Sequence, residues 1–213
     1  MQNLKLPIFG QEKIIYVDDD LIIVDKPAGL LSVPGKAEDN RDCLITRIQK
    51  IYPEAIIVHR LDMATSGLMI LPRSKRAEKR ISVQFQRRKV LKKYVALLHG
   101  VIDEYEGVIT APLICDWENR PRQKIDFEIG KPSQTYFEVL GRNDDTTRVC
   151  FWPSTGRSHQ LRMHSIYIEH PICGDLFYIG DDGYKRLMLH ASYLEFKHPM
   201  SGEKIAFESL PDF

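Results

Sequence analysis

The 213-residue sequence lacks the features that mark a secreted, membrane-spanning or zinc-dependent protein. No apolar run approaches the roughly 18 residues of a membrane span, and residues 1–5 do not form the apolar centre of a signal peptide. The four cysteines, Cys43, Cys115, Cys150 and Cys173, stand far apart without a CxxC pair, which argues against a disulfide framework or a zinc site. We therefore expect a cytoplasmic protein with buried free thiols and no membrane partner.

Several catalytic signatures are missing as well. No glycine-rich phosphate loop of the GxxxxGK[ST] type occurs, and Ser66 and Ser158 lack the GxSxG setting of a serine hydrolase. His159, His164 and His170 are spaced five and six residues apart, whereas a helical zinc pair prefers a spacing of four. We therefore expect no metal site.

Net charge is nearly absent, at +1, but the basic residues are unevenly distributed. Between residues 73 and 93, ten basic side chains occur with Glu78 as the single acid. Such a segment on a nearly neutral protein is typical of a surface that binds a polyanion, although a solvated helix face followed by a basic edge strand would look the same. The residues of this basic segment that we predict to contact RNA are Arg73, Lys75, Arg76, Lys79, Arg87, Arg88 and Lys92.

The apolar pattern predicts an α+β protein. Short apolar runs predict strands at residues 14–17, 21–24, 56–58, 68–71, 94–98, 107–110, 124–129, 135–140, 148–152, 187–196 and 205–207. Helical spacing predicts helices at residues 42–51, 74–87 and 158–168. Many strands and few helices, without strict βαβ alternation, favour a mixed sheet. We expect an extension at residues 1–12 and a single domain at residues 13–213.

Asp62 is the leading candidate for a reactive residue. An Asp near Gly and Thr is most often a turn residue bonded to backbone amides. Here Arg60 precedes the acid and a Thr-Ser-Gly turn follows it, which favours a catalytic carboxylate. A downstream cluster at residues 156–164 (GRSHQLRMH) contains two arginines five positions apart, so one could face a buried acid and the other a phosphate. The alternative for this cluster is an amphipathic helix with surface arginines.

Tyr94 directly follows the basic pair at residues 92–93. An aromatic ring at the end of a basic run is suited to stacking on an unpaired base. The alternative is a core tyrosine within a strand.

Taken together, four segments resemble the RluA family of pseudouridine synthases, which rearrange uridine within RNA. They are residues 59–68 (HRLDMATSGL), 92–96 (KKYVA), 156–162 (GRSHQLR) and 189–191 (LHA), preceded by residues 26–29 (KPAG). The segments occur in the family's order and span nearly the whole chain. The resemblance implies the family's catalytic fold, a mixed and mainly antiparallel central sheet flanked by helices and loops. We expect no S4 RNA-binding domain in front of it.

The resemblance also implies roles for individual residues. Asp62 would be the essential carboxylate, acting on the sugar as nucleophile or as base, and Arg162 would pair with it. Tyr94 would stack on the target base. The further residues expected to bind RNA are His59, Arg60, Arg157 and Leu189. No cofactor is expected, because the reaction has no redox step and releases no small molecule.

Resemblance to the short, single-domain members of the family implies two RNA substrates, a hairpin loop of 23S ribosomal RNA and the anticodon stem-loop of tRNA. We expect a monomer that does not act on DNA. An enzyme for tRNA alone or for rRNA alone is the nearest alternative. A non-catalytic RNA-binding module would explain the basic segment but not Asp62 with Arg162, and a hydrolase would explain Asp62 but not the basic segment with Tyr94.

Overall fold

The computed structural model describes residues 10, 12–35 and 41–213. Contacts between Cα atoms group the chain into two compact units, Met1–Lys92 with His190–Asp212 and Lys93–Leu189 with Phe213. Most of the extension expected at residues 1–12 lies outside the described residues. The expectation of one catalytic domain over residues 13–213 stays a prediction.

The first unit is built on five strands and two helices. The strands are β1 (Lys13–Val17), β2 (Leu21–Lys26), β3 (Ser66–Pro72), β10 (Leu189–Lys197) and β11 (Lys204–Glu208), and the helices are α1 (Leu44–Ile48) and α2 (Lys75–Gln86). The antiparallel pairs are β1 with β2, β2 with β3, and β10 with β11. Strand β10 runs parallel to β3, with His190 opposite Ser66 and Ala191 opposite Gly67.

The core of the first unit explains the two continuous apolar runs in the sequence. Strands β2 and β3 are buried along most of their length, so their residues do not alternate between apolar and polar. Helix α2 begins after Ser74, whose Oγ accepts a hydrogen bond from the Ala77 amide, and it buries Ala77 and Ile81. Each buried aliphatic side chain contributes about 1.5–3 kcal/mol. The main cluster consists of Leu21, Ile23, Leu68, Ile70, Ile81, Val90, Leu194 and Phe196.

The second unit contains the remaining strands and one helix. They are β4 (Leu91–His99), β5 (Glu106–Ile109), β6 (Leu113–Cys115), β7 (Gln123–Ile125), β8 (Thr135–Arg142), β9 (Thr146–Pro153) and α3 (Gln160–Tyr167). Strand β9 pairs antiparallel with β4 and β8, β8 pairs antiparallel with β5, and β6 and β7 form a separate hairpin. Apart from the parallel β3–β10 pair, the pairings described here are antiparallel, which confirms the expected α+β fold with a mixed, mainly antiparallel sheet.

Four predicted elements were wrong or too long. The helix predicted at residues 42–51 spans only Leu44–Ile48, and residues 49–51 form a turn. Residues 56–58 form no strand. The Ile56 amide donates to the Pro72 carbonyl, and Val58 packs onto the core. Strand β7 ends at Ile125, because the Asp126 carboxylate accepts the amides of residues 128 and 129 and turns the chain. Helix α3 begins only at Gln160, because His159 has a φ of 52°. Strand β6 was not predicted.

The four cysteines are free thiols. Cys43, Cys150 and Cys173 are buried, whereas Cys115 is partly exposed. Burial raises the pKa of the Cys150 and Cys173 thiols to about 11, which leaves them protonated and unreactive at neutral pH. Over the described part of the chain, no helix is both long and apolar enough to cross a bilayer.

Candidate active site

Asp62 lies in an irregular segment whose peptide groups are fixed on both sides of it. The Ser32 hydroxyl donates to the Leu61 carbonyl at 2.8 Å and accepts from the Leu61 amide at 3.1 Å. On the other side, the Met63 carbonyl accepts from the Gly29 amide at 2.8 Å. The Asp62 side chain itself is only partly buried. The chain therefore holds the backbone of this acid while leaving its carboxylate within reach of a ligand.

A buried lysine completes this support. Lys26 has no solvent-exposed surface, and its ammonium donates to the carbonyls of Pro27 at 2.9 Å, Leu30 at 2.8 Å and Met63 at 3.2 Å. A buried ammonium is tolerated only when its donors are bonded in this way. Residues 26–29 were singled out in the sequence only as part of the family resemblance, and this role was not predicted. A lysine at the end of a buried apolar strand was the available signal.

His59 also fastens this segment. Its Nε2 accepts a hydrogen bond from the Ile70 amide of β3 at 2.9 Å, and its ring stacks on Phe85 of α2 with centroids 4.6 Å apart. Burial, together with the nearby Lys92 ammonium, lowers the pKa of His59 to about 3. The neutral ring therefore anchors the start of the Asp62 segment to two core elements. The predicted RNA contact of His59 stays a prediction.

The Ser-Gly pair after Asp62 begins β3 and permits its parallel contact with β10. Gly67 has a φ of 115°, and a Cβ placed there would lie 2.3 Å from the Ala191 carbonyl oxygen, so only glycine fits. Ser66 Oγ lies 2.8 Å from Nδ1 of His190. Both residues act in strand packing, which explains why this turn follows the acid.

Arg162 lies in the second unit, where it forms a buried ion pair. Its Nε donates to Asp175 at 2.7 Å and its Nη2 at 2.5 Å, and both side chains are at most 5% exposed. The guanidinium also lies over the rings of Phe177 and Tyr178, at 5.3 and 4.8 Å from their centroids. These contacts fix the plane of the guanidinium. The sequence did not identify Asp175 as its partner, and the pairing of Arg162 with Asp62 stays a prediction.

Gln160 organises the rest of the arginine motif. Its Oε1 accepts from the Thr155 hydroxyl at 2.7 Å and from the Arg157 amide at 3.0 Å, while its Nε2 donates to the Gln134 carbonyl and to Thr135. Arg157 remains exposed, with its guanidinium 3.4 Å from the Pro132 carbonyl. The motif therefore combines a buried polar anchor with an exposed cation.

Two further candidates lie on strands. Tyr94 is in β4, opposite Phe151 of β9, and is partly exposed. Leu189 opens β10 and is only 3% exposed. In terms of the two compact units, Arg60 and Asp62 belong to the first, whereas Tyr94, Arg157 and Arg162 belong to the second.

The basic segment divides into exposed and tethered side chains. Arg73 is tethered, because it binds Glu54 at 2.6 Å and the Asp18 carbonyl and lies over the Tyr52 ring. Lys92 is partly buried, and desolvation lowers its pKa. Lys75 is exposed and pairs with Glu78, one turn along the helix. Of the residues predicted to contact RNA, Arg76, Lys79, Arg87 and Arg88 are exposed as well.

Within the described residues, one cluster has ligand atoms close enough to share a metal ion: Asp18, Asp20 and His198, with these atoms within 4.8 Å of one another. The Asp18 carboxylate already accepts from the amides of Asp20 and Leu21, and lies 3.0 Å from His198 Nε2. These bonds describe a turn that closes the β1–β2 hairpin.

Known proteins with similar sequences and folds define the class. The family model described as RNA pseudouridylate synthase matches residues 20–166. The chain is 46% identical to the dual-specificity RNA pseudouridine synthase RluA of Escherichia coli, over 100% of this chain and 99% of that protein. It is 48% identical to the protein of the same name from Haemophilus ducreyi, over 93% of each. The solved structure of human RNA Pseudouridylate Synthase Domain Containing 1 matches with a TM-score of 0.81 at 30% identity, covering 97% of this chain and 86% of that one.

These similarities point first to a class, the isomerases that modify RNA. The chain belongs to the RNA pseudouridylate synthase family. It is a pseudouridine synthase, and the resemblance seen in its motifs is confirmed over the full length of the chain.

Proposed function

We propose that this synthase isomerises uridines in two kinds of RNA hairpin loop, one in 23S ribosomal RNA and one in the anticodon arm of tRNA. The support is that relatives named dual-specificity synthases align with the chain almost end to end. The enzyme would work as a cytoplasmic monomer, without a cofactor, and would not act on DNA.

The reaction breaks the N1–C1′ glycosidic bond, turns the base and joins C5 to C1′. The proton on C5 is lost and N1 gains one, so no other reactant is consumed. The target base first leaves its stack, which costs a few kcal/mol and less in a loop than in a stem. Contacts between basic side chains and the flanking phosphates offset that cost.

Asp62 is the catalytic carboxylate in this proposal, acting at C1′ as nucleophile or on the sugar as base. The single observation that carries this role is that the backbone on both sides of Asp62 is held in place by hydrogen bonds. The peptide groups before and after Asp62 are bonded to Ser32, Gly29 and Lys26, yet its side chain is partly exposed. A carboxylate held in one position loses little freedom when the sugar arrives, which is how positioning lowers a barrier.

The remaining residues contact the flipped uracil base or the Asp62 carboxylate. Tyr94 stacks on the flipped uracil, and Arg60 occupies the space that the nucleotide leaves. Arg162 pairs with Asp62, and its bidentate pair with Asp175 fixes the orientation of its guanidinium. Leu189 forms an apolar floor under the base.

The RNA backbone is held by cations around the site. Arg157 contacts phosphates together with the exposed Lys75, Arg76, Lys79, Arg87 and Arg88 and, less directly, the partly buried Lys92. Arg73 and His59 would contribute mainly by shaping this surface, because their side chains bond to the protein.

The test is tritium release from RNA labelled at C5 of uridine, with 23S rRNA and tRNA stem-loop transcripts supplied separately and a chelator present. The wild-type enzyme should release tritium from both RNAs. Asp62→Asn should lower the rate on both by about 10⁴-fold or more, since it removes the reacting group. The matched control is Asp144→Asn, which makes the same change at an exposed loop position.

Release from one RNA alone would reduce the proposal to a single-substrate enzyme. Equal rates for wild type and Asp62→Asn would refute the role of this carboxylate. An equal loss in Asp144→Asn would show that the assay reports folding rather than chemistry.

A further inference from the structure

A basic groove lies on the first unit, beside the second half of α2. It is bordered by that helix and by the turn that joins β10 to β11, and it has a volume of about 470 Å³. Its long cations are Arg80, Lys89, Lys197 and Lys204, and Glu195 is the one acid among its lining residues. Lys204 pairs with Glu195 at 2.8 Å, which offsets the acid and leaves a net positive groove.

The walls of the groove are fixed to each other. The side-chain amide of Gln84 bonds both backbone groups of Lys197. Its Nε2 donates to the Lys197 carbonyl at 2.7 Å, and its Oε1 accepts from the Lys197 backbone amide at 2.9 Å, so the helix pairs with the end of β10 much as a neighbouring strand would. Arg80 donates to the Pro199 carbonyl. These bonds hold the groove open before any ligand arrives, which reduces the entropy cost of binding.

The ammonium groups of Lys89 and Lys197 are not used in this scaffold. Both side chains are exposed, and among the described residues neither forms an ion pair. Neither participates in the assigned chemistry of the Asp62 segment. Two exposed cations beside a preformed groove are suited to a phosphodiester backbone, since lysine contacts phosphate as a point charge.

Helix α2 connects this groove to the Asp62 segment. Phe85 contacts the His59 ring on one side of the helix, whereas Gln84, the residue before it, faces the groove. Successive helical residues point about 100° apart, and the helix with its side chains is about 10–12 Å wide. Arg76 lies one turn before Arg80, so the exposed basic segment leads into the groove. An RNA that offers its loop to Asp62 would have its stem within reach of the groove.

We propose that this groove binds the phosphate backbone of the substrate RNA's stem, outside the loop that carries the target uridine. The inference rests on the proposed function for the identity of the RNA. Lys89 and Lys197 make the phosphate contacts, and Arg80 and Gln84 hold the walls. The groove is thus a second binding region that senses stem length and leaves the chemical step unchanged.

The experiment compares the wild type with the double variant Lys89→Gln/Lys197→Gln. Two hairpins of identical loop sequence are used, one with a long stem and one with the stem cut to the few pairs that close the loop. Dissociation constants are measured from 50 to 300 mM salt, and kcat and KM at one salt concentration. The control Lys13→Gln/Lys50→Gln removes the same charge at exposed positions, at the start of β1 and just beyond α1.

For the long stem, the double variant should raise Kd and KM by about five- to tenfold and reduce the salt slope by about 1 to 2. Its kcat and its affinity for the short stem should match the wild type, and the control should bind both RNAs as the wild type does. An unchanged Kd and salt slope for the long stem would overturn the inference, as would an equal loss on both hairpins. Because binding is read separately from turnover, a wild type that binds but releases no tritium would refute the proposed function and leave the groove still under test.

Discussion

The neutral ring of His59 should make the stability of this enzyme fall in mild acid. In the folded chain the pKa of His59 is about 3, against 6.5 for an unperturbed histidine. Below pH 6.5 the unfolded chain takes up a proton at this residue and the folded chain does not, so protons favour unfolding. The stabilisation that the neutral His59 ring contributes is complete above pH 6.5 and is lost as pH falls towards 3. The loss is about 1.4 kcal/mol per pH unit, or about 2 kcal/mol between pH 6.5 and 5.0.

The assay is urea unfolding followed by far-UV circular dichroism at half-unit steps from pH 7.5 to 5.0. The reference variant is His59→Gln, whose amide oxygen can still accept from the Ile70 amide but does not titrate. The wild type should be the more stable at pH 7.5, and its advantage should shrink by about 2 kcal/mol by pH 5.0. Taking the difference between the two curves cancels every other titrating group.

Parallel curves for the two proteins would refute the reasoning. They would mean that the His59 ring binds its proton equally in both states, which cannot be the case if Nε2 accepts from a buried amide. Reversible loss of activity in the same pH range should accompany the loss of stability, because His59 fastens the segment that carries Asp62.

Three further substitutions test individual contacts in the two units. Gly67→Ala should destabilise the fold by about 3 kcal/mol or more in urea unfolding, because the new methyl group meets the β10 backbone at a φ that alanine rarely adopts; a loss below 1 kcal/mol would contradict this close approach. Asp175→Asn should cost about 3–5 kcal/mol by leaving the Arg162 charge buried, whereas near-wild-type stability would show that the pair is dispensable. Glu106→Gln should lower the pKa of Tyr136 from about 12 towards 10 in an ultraviolet titration, since the Glu106 carboxylate accepts a hydrogen bond from the protonated phenol and repels its anion. An unchanged titration would contradict that bond.

Local patterns in the sequence predicted the elements whose burial is continuous. The apolar runs at residues 21–24 and 68–71 are central strands, and Ser74 caps α2 as its spacing indicates. Residues 56–58 have the same apolar character, but in the described part of the chain they form no ladder with a strand and remain irregular. A strand requires a partner that is distant in the sequence, and composition cannot supply it. The same reason explains why β6, which is short and pairs only with β7, was not predicted.

The candidate site shows a similar division. Asp62 could be singled out from its neighbours, but its supports could not, because Lys26 and Ser32 lie about thirty residues away along the chain. Arg162 could likewise be singled out, but its partner Asp175 could not, because Asp175 lies in no recognisable sequence motif. The roles of Lys26, Ser32 and Asp175 can be recognised only from the structure, which shows the partners of their hydrogen bonds. The sequence therefore predicts reactive residues better than the residues that position them.

This division affects how substitutions in the motif around Asp62 should be interpreted. His59 and Gly67 flank the acid in sequence, and both contact core strands in the structure. Replacing either would displace the Asp62 segment and lower activity without removing a reacting group. A loss of activity therefore assigns chemistry only when stability is unchanged. By that criterion Asp62→Asn is informative when its free energy of unfolding matches the wild type, and the bonds of the neighbouring peptide groups to Ser32, Gly29 and Lys26 should remain in that variant.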